Sequence, residues 1–385
     1  MKMTELSEKV WIDETINKIR SKMAWVCEKN KDKIPYTTNA DGSYNDMSLS
    51  KDKGGDIDWW TNGFWGGIMW LLYHDTKDHC YKDAAEILEK KLQGCLMSYS
   101  GLNHDVGFMY MLTAVADYRF TGNEESRKDG MHAAGILAGR YNPAGEYIRA
   151  WNEYGEKMPL EGWAIIDCLM NLSLLYWASK ESNDPRFKEI AKRHADMAMK
   201  YFVREDGSVK HIIEFDPNSG EYKCSYGGQG YKHGSSWTRG QGWAIYGFII
   251  SYIHTGKREY LDTAKKVSHY CIAGIKEDGL IPIDFRQPVD VKLEDSCGAC
   301  IIASGLLEVS KHVSETEQGL YRNAAVKILR AISQKRVDWS EECDAIVQNC
   351  SVAYHGNDRH IPLVYADYFF IESMYKLREG KVFMW

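Results

Sequence analysis

The residue types best suited to proton chemistry are two aspartates in apolar surroundings. Asp167, in GWAIIDCLMNLSLLYW, is the only acidic or basic residue of a long apolar stretch. Taken as one helix, that stretch puts Trp163 and Asn171 one turn before and after it on a single stripe. A carboxyl buried there resists ionisation, so its pKa rises and a proton becomes available near neutral pH. The competing account is a structural aspartate bonded to a neighbouring loop. Asp105, in GLNHDVGFMYM, opens the preceding apolar helix. It is either a capping or first-turn acid or a second carboxylate facing the same pocket, with His104 before it and Gly107 permitting close backbone approach. The segment SYGGQGYKHGSSWTRGQGW adds Gln229, His233, Trp237, Arg239 and Trp243. Its glycines let a loop fold tightly over a ligand, Arg239 offers a forked cation to a carboxylate, and the tryptophans offer stacking faces.

Other chemistries find less support. Cys297-Gly-Ala-Cys300 has the spacing of a redox or zinc motif, but it lies in an apolar helix, follows no strand and has no second pair. Close packing of small residues is the better account. GGQGYKHG lacks the strand-to-helix setting of a phosphate loop, and the 12 histidines form no HExxH or other ligand spacing. The expectation is a mechanism without metal or cofactor.

These residues need elements to position them. Apolar residues spaced by three and four recur in twelve windows: 12–29, 62–76, 79–98, 105–122, 124–141, 162–180, 184–204, 240–256, 258–275, 295–313, 317–337 and 363–378. Strand-like alternation is confined to short pieces such as SVKHIIEFD and GLIPIDF. The windows alternate in kind. The second, fourth, sixth and so on are apolar nearly all round and rich in Gly, Ala, Cys and aromatics, which suits helices buried on every side. The others carry one apolar stripe and a charged back. Outer and inner helices in strict succession, six times over, describe a closed double ring, an (α/α)6 barrel. An open superhelix of hairpins would instead present a charged concave face and need capping repeats. Long connections (30–61, 142–161, 205–239, 276–294 and 338–362) precede inner helices, so a pocket is expected at the end where those helices begin.

Composition bounds the rest. With 385 residues, 44% hydrophobic and 26% charged, the chain can build a large core, and its 8 prolines mark no linker, so one domain over 1–385 is expected. A net charge of −6 gives no global field for nucleic acid or an anionic membrane. Runs such as GGIMWLLY are too short to span a bilayer, and no segment reads as an export signal. Ten scattered cysteines then suit reduced thiols in a cytoplasm. Aromatics make up 12% of the chain, with tryptophans clustered in WWTNGFWGG, RAWN and SWTRGQGW; exposed edges of such rings in a cleft suit sugar rings, while core packing explains most of them.

Along nearly its whole length the sequence resembles the unsaturated glucuronyl hydrolases, glycoside hydrolase family 88. The motifs that carry the likeness are DWWTNGFWGG, NHDVGF, GWAIIDCLMN, DGSVKHIIEFD, GGQGYKHGSSWTRGQGW, EDSCGACIIASGLLE and PLVYADYFFIESM. SSWTRGQGW is the most specific. The resemblance implies an (α/α)6 barrel that removes a terminal 4,5-unsaturated uronic acid from the oligosaccharides left by polysaccharide lyases. It further implies Asp167 as general acid/base and Asp105 as the second essential carboxylate. Substrate contacts fall to Trp60, Trp151, His211, Gln229, Trp237, Arg239, Trp243, Tyr354 and His355. Asp105 is expected to keep Asp167 protonated by like-charge proximity. The segment 338–362 aligns poorly, which bears on sulfated against unsulfated substrates. The expected partner is a small oligosaccharide, with neither nucleic acid nor membrane, for a monomer or weak homo-oligomer. Three alternatives stand beside this: the related unsaturated rhamnogalacturonyl hydrolases of family 105, an ordinary inverting glycosidase with two separated carboxyls, and a non-catalytic carbohydrate-binding barrel.

Overall fold

The computed structural model describes residues 3–99, 101–152, 160–379 and 383–385. Part of the 142–161 connection, 153–159, thus lies outside the described residues. Polar starts and apolar stripes set the outer helices: α1 (Met3–Asn30), α3 (His79–Ser98), α6 (Glu124–Gly139), α8 (Pro185–Tyr201), α10 (Arg258–Ala273) and α12 (Glu315–Lys335). Asp78, Asn123 and Asp184 each accept a backbone N–H two residues on, satisfying donors that a helix start leaves orphaned. Pro185 follows at the first helical position, where its missing N–H costs nothing.

The inner helices are α2 (Phe64–Thr76), the pair α4 (Val106–Met111) and α5 (Ala114–Thr121), α7 (Cys168–Ser182), α9 (Thr238–Thr255), α11 (Ser296–Lys311) and α13 (Val364–Glu379). Each packs on the next, and α13 returns to α2, so the inner ring closes; each outer helix lies on its inner neighbour, α1 on α13. This is the (α/α)6 barrel. Inner helices can be this apolar because almost every side chain is buried, as in Ser296–Ser310 of α11. One hydrophobic cluster runs through both rings, and a small second one, Ala150, Leu160, Trp163, Ile165 and Ile212, lies beneath the loops.

Two windows fold differently from the expectation. The window 105–122 is two helices, broken at Thr113 (φ −118°, ψ −92°), whose hydroxyl donates to the carbonyl of Met109 at 2.7 Å. After a short antiparallel pair, β1 (Tyr141–Asn142) and β2 (Tyr147–Ile148), the window 162–180 begins as a strand, β3 (Trp163–Ile165), and becomes helical only at Cys168. β3 pairs antiparallel with β4 (Ile212–Phe215), which pairs with β5 (Tyr222–Tyr226). The SVKHIIEFD piece is therefore the centre of a three-stranded sheet. GLIPIDF makes isolated bridges instead, Pro282 to Glu294 and Trp237 to Asp284. Asp167 consequently sits at the start of α7 and not along a helical stripe, and Trp163 faces Trp151 and Tyr226 in the small cluster.

The far end of the ring is shut. Trp385 is fully buried, stacks on Phe369 at 6.1 Å and donates its indole N–H to Glu372 at 3.0 Å. Beside it the buried ammonium of Lys376 lies between Glu308 (3.1 Å) and Glu372 (3.3 Å), the arrangement a buried charge requires.

Candidate active site

At the open end a cavity of about 400 Å³ is framed by the starts of the inner helices and the long connections before them. Asp105 immediately precedes α4, and Asp167 immediately precedes α7; neither side chain caps its own helix. The capping account of Asp105 therefore lacks its hydrogen bond. Trp60 opens a 3₁₀ turn (Trp60–Gly63) ahead of α2, while Trp237, Arg239 and Trp243 come from the start of α9. All of these line the cavity, with Trp151 and Gln229 from the connections.

Asp105 is buried and Asp167 half-buried, and both are poorly served by partners. Asp167 Oδ1 has no hydrogen-bond partner among the described residues, and burial pushes its pKa up to about 6, against the pull of Arg239. Asp105 is raised well above the ordinary carboxylate range, first by burial and then by the charge of Asp167; Asn171 and Arg140 pull the other way. The like-charge effect expected on Asp167 thus falls on Asp105, while burial accounts for Asp167. Repulsion belongs to the pair, which keeps a proton near neutral pH. Asn171 Nδ2 reaches Asp105 Oδ1 at 3.3 Å. His104 Nε2 lies 3.4 Å from Asp105 Oδ2, but complete burial holds this imidazole far below its usual pKa and hence neutral.

Arg239 differs from the expectation. Its guanidinium is stacked over Trp237 (4.3 Å) and near Tyr365 (5.6 Å), and it donates to the carbonyls of Ser351 and, at 2.7 Å, Val352. Asp295 lies 3.7 Å away. Two of its donor groups are therefore spent on holding the 338–362 connection against the barrel. Gln229 Nε2 donates to the same Val352 carbonyl at 2.8 Å.

Four sequence candidates do not reach the cavity wall. His211 is buried behind Trp237, its Nδ1 accepting the Gln229 N–H at 3.1 Å, and burial lowers its pKa to about 3. Tyr354 packs on Tyr231, and exposed His355 contacts the Tyr231 carbonyl at 2.7 Å. His233, from the same glycine-rich loop, is also absent from the lining. Conversely, the cavity includes Tyr36, Lys51, Asp56, Asp58, Trp59, Asn103, Val352 and Tyr365, none of which was singled out. Asp58 and Trp59 lie in DWWTNGFWGG, Asn103 in NHDVGF and Tyr365 in PLVYADYFF. Nothing local marks Tyr36, Lys51 or Val352. Cys297 and Cys300 are free and buried, and no group of three His, Cys, Asp or Glu among the described residues is placed to hold a metal ion.

Known proteins share this fold. The unsaturated glucuronyl hydrolase of Bacillus sp. (strain GL1) is 33% identical over 334 residues, which is 85% of this chain and 88% of that protein. Its crystal structure superposes with a TM-score of 0.87 at 30% identity, covering 96% of both chains. The unsaturated glucuronyl hydrolase of Streptococcus agalactiae superposes with a TM-score of 0.88 at 26% identity, covering 98% of this chain and 94% of its own. A family model matches residues 24–376, from the first outer helix to the last inner one, and the chain belongs to Glycosyl Hydrolase Family 88.

Proposed function

We propose that this glycoside hydrolase releases the terminal 4,5-unsaturated uronic acid from lyase-generated glycosaminoglycan disaccharides by hydrating the C4=C5 bond. The observation that carries the reading is a pair of acids with raised pKa values, Asp105 and Asp167, at one aromatic-lined cavity.

C4=C5 conjugated to the ring oxygen is an enol ether, so C4 is electron-rich. Asp167 delivers its proton to C4, and positive charge develops at C5 and the ring oxygen. The resulting carboxylate then draws a proton from a water whose oxygen bonds to C5. The C5 hemiketal opens by breaking its bond to the ring oxygen. That oxygen becomes part of a hemiacetal at C1, which collapses and expels the neighbouring sugar. Water therefore never attacks the anomeric carbon, and one carboxyl serves as acid and base where ordinary glycosidases need two. Asp105, oriented by Asn171, binds ring hydroxyls. Trp60, Trp151, Trp237 and Trp243 supply apolar faces to the sugar. Gln229 and Arg239 set the wall nearest the 338–362 connection, and His211 backs Gln229 and Trp237.

In this reading the whole chain is one catalytic domain, active as a monomer or weak homo-oligomer in a reducing compartment such as the cytoplasm. Ten free cysteines support that setting, and no described helix is long and apolar enough to cross a membrane. The deciding experiment follows the ultraviolet absorbance of the conjugated alkene across a panel of lyase-generated disaccharides. Its loss on a glycosaminoglycan member is expected; unchanged absorbance with every member overturns the proposal.

A further inference from the structure

The cavity is deep at one end and charged at the other. The side chain of Asp105 is 9% exposed, whereas those of Asp58, Asp56 and Lys51 are 16%, 29% and 75% exposed, which places them progressively outward. Because the far end of the barrel is shut, a terminal sugar must enter first and its neighbour must lie toward these three residues. The neighbour then meets two carboxylates and one ammonium: Lys51 Nζ is 3.3 Å from Asp56 and 3.9 Å from Asp58. The remaining lining cation among the described residues, Arg239, is occupied by backbone carbonyls and Asp295.

Asp58 lies against the backbone at Gly101. It packs where Gly101 has φ +76°, and a Cβ there would stand 1.2 Å from Asp58 Oδ2. Burial and then the Asp56 carboxyl push its pKa up to about 6, so further negative charge is unwelcome there. Trp59 and Trp237 also line the cavity, and their indole N–H groups are buried without hydrogen-bond partners among the described residues. Each can donate to a hydroxyl or amide oxygen.

We infer that Asp56 and Asp58 make the outer half of the cavity a subsite for a hexosamine that is neutral or bears a free ammonium group, and that they turn away a sulfated one. This rests on the hydrolase reading above and specifies which sugar that reaction accepts next to the unsaturated uronate. Discrimination here comes from a repulsive element, which selects by raising the cost of the wrong partner.

Three unsaturated uronate–hexosamine disaccharides test it: free amine, N-acetyl, and N-acetyl with a 6-O-sulfate. The expected order of kcat/KM is amine, then N-acetyl, then sulfated, the last lower than N-acetyl by about tenfold at low ionic strength. The gap narrows with salt. Asp58→Asn should shrink the sulfate penalty and the amine advantage together. Asp56→Asn, which leaves the seat at Gly101 untouched, should do the same if Asp58→Asn fails to fold. A sulfated substrate cleaved as fast as its unsulfated counterpart, or ratios unmoved in the folded variants, overturns the inference while leaving hydrolysis intact. Failure to cleave all three overturns the hydrolase reading and this inference with it.

Discussion

Asn171 ties two inner helices together through one carboxamide: its Nδ2 donates to Asp105 Oδ1 at 3.3 Å, and its Oδ1 accepts the Phe108 N–H at 2.6 Å. The approach is close enough that a Cβ on Gly107 would lie 2.5 Å from the Asn171 Cα. The orientation of Asp105 therefore depends on a residue one turn into the helix that follows Asp167. Asn171→Ala should lose about 1–3 kcal/mol of stability, because the buried Phe108 N–H is left unsatisfied. It should also lower kcat more than KM rises. Thermal unfolding and steady-state kinetics check both; full kcat in a folded Asn171→Ala would show that Asp105 needs no such support.

The two carboxyls separate by role. Asp167→Asn should reduce turnover by about 10²–10⁴-fold, the contribution expected of a positioned acid/base, with the fold intact by circular dichroism. Asp105→Asn should also depress turnover strongly. A variant at 105 that changes only the melting temperature would restore the capping role, for which no hydrogen bond is present.

Protonation sets the pH profile. Asp167 is needed with its proton on, so kcat/KM should fall as pH rises through about 6. Burial and not the charge of Asp105 raises Asp167, so this limb should stay near the same pH in Asp105→Asn. Stability moves in the same sense as kcat/KM. A carboxyl raised from 3.8 to about 6 by folding leaves the native state relatively most stable below 3.8, and that advantage is lost as pH rises to about 6. Asp167→Asn escapes the penalty, so at pH 8 it should be more stable than the parent, by roughly 2–3 kcal/mol for a shift of this size. Chemical denaturation at pH 4 and pH 8 measures it; a gain no larger at pH 8 than at pH 4 would contradict the burial argument.

Arg239 acts as a clamp on the 338–362 connection. Arg239→Lys keeps the charge but loses the fork that reaches the carbonyls of Ser351 and Val352 together. KM should rise about tenfold or more, since leaving a buried acceptor unpaired costs 1–3 kcal/mol, and limited proteolysis should cut near residue 352 sooner. Parental KM and protease resistance in the lysine variant would remove the clamp.

The alternation of all-round apolar and striped helices was legible in the sequence because burial on every side leaves a local mark, and that mark repeats six times. It determined the double ring and the end at which a site could form. It also located Asp105 and Asp167, since an acid among apolar side chains stands out wherever the chain goes. Tertiary contacts decided the rest. Trp163–Ile165 reads as helix until β4, some fifty residues away, offers it a strand partner; a short apolar run carries no signal of its own for either state. Arg239 looked like a free cation until carbonyls more than a hundred residues distant claimed it. Lys51, Asp56 and Asp58 meet at the cavity because loop 30–61 closes over the ring, and nothing in their spacing announces it. Local composition fixes which faces are buried, while the partners of a charged side chain are set by whatever distant backbone the closed ring brings beside it.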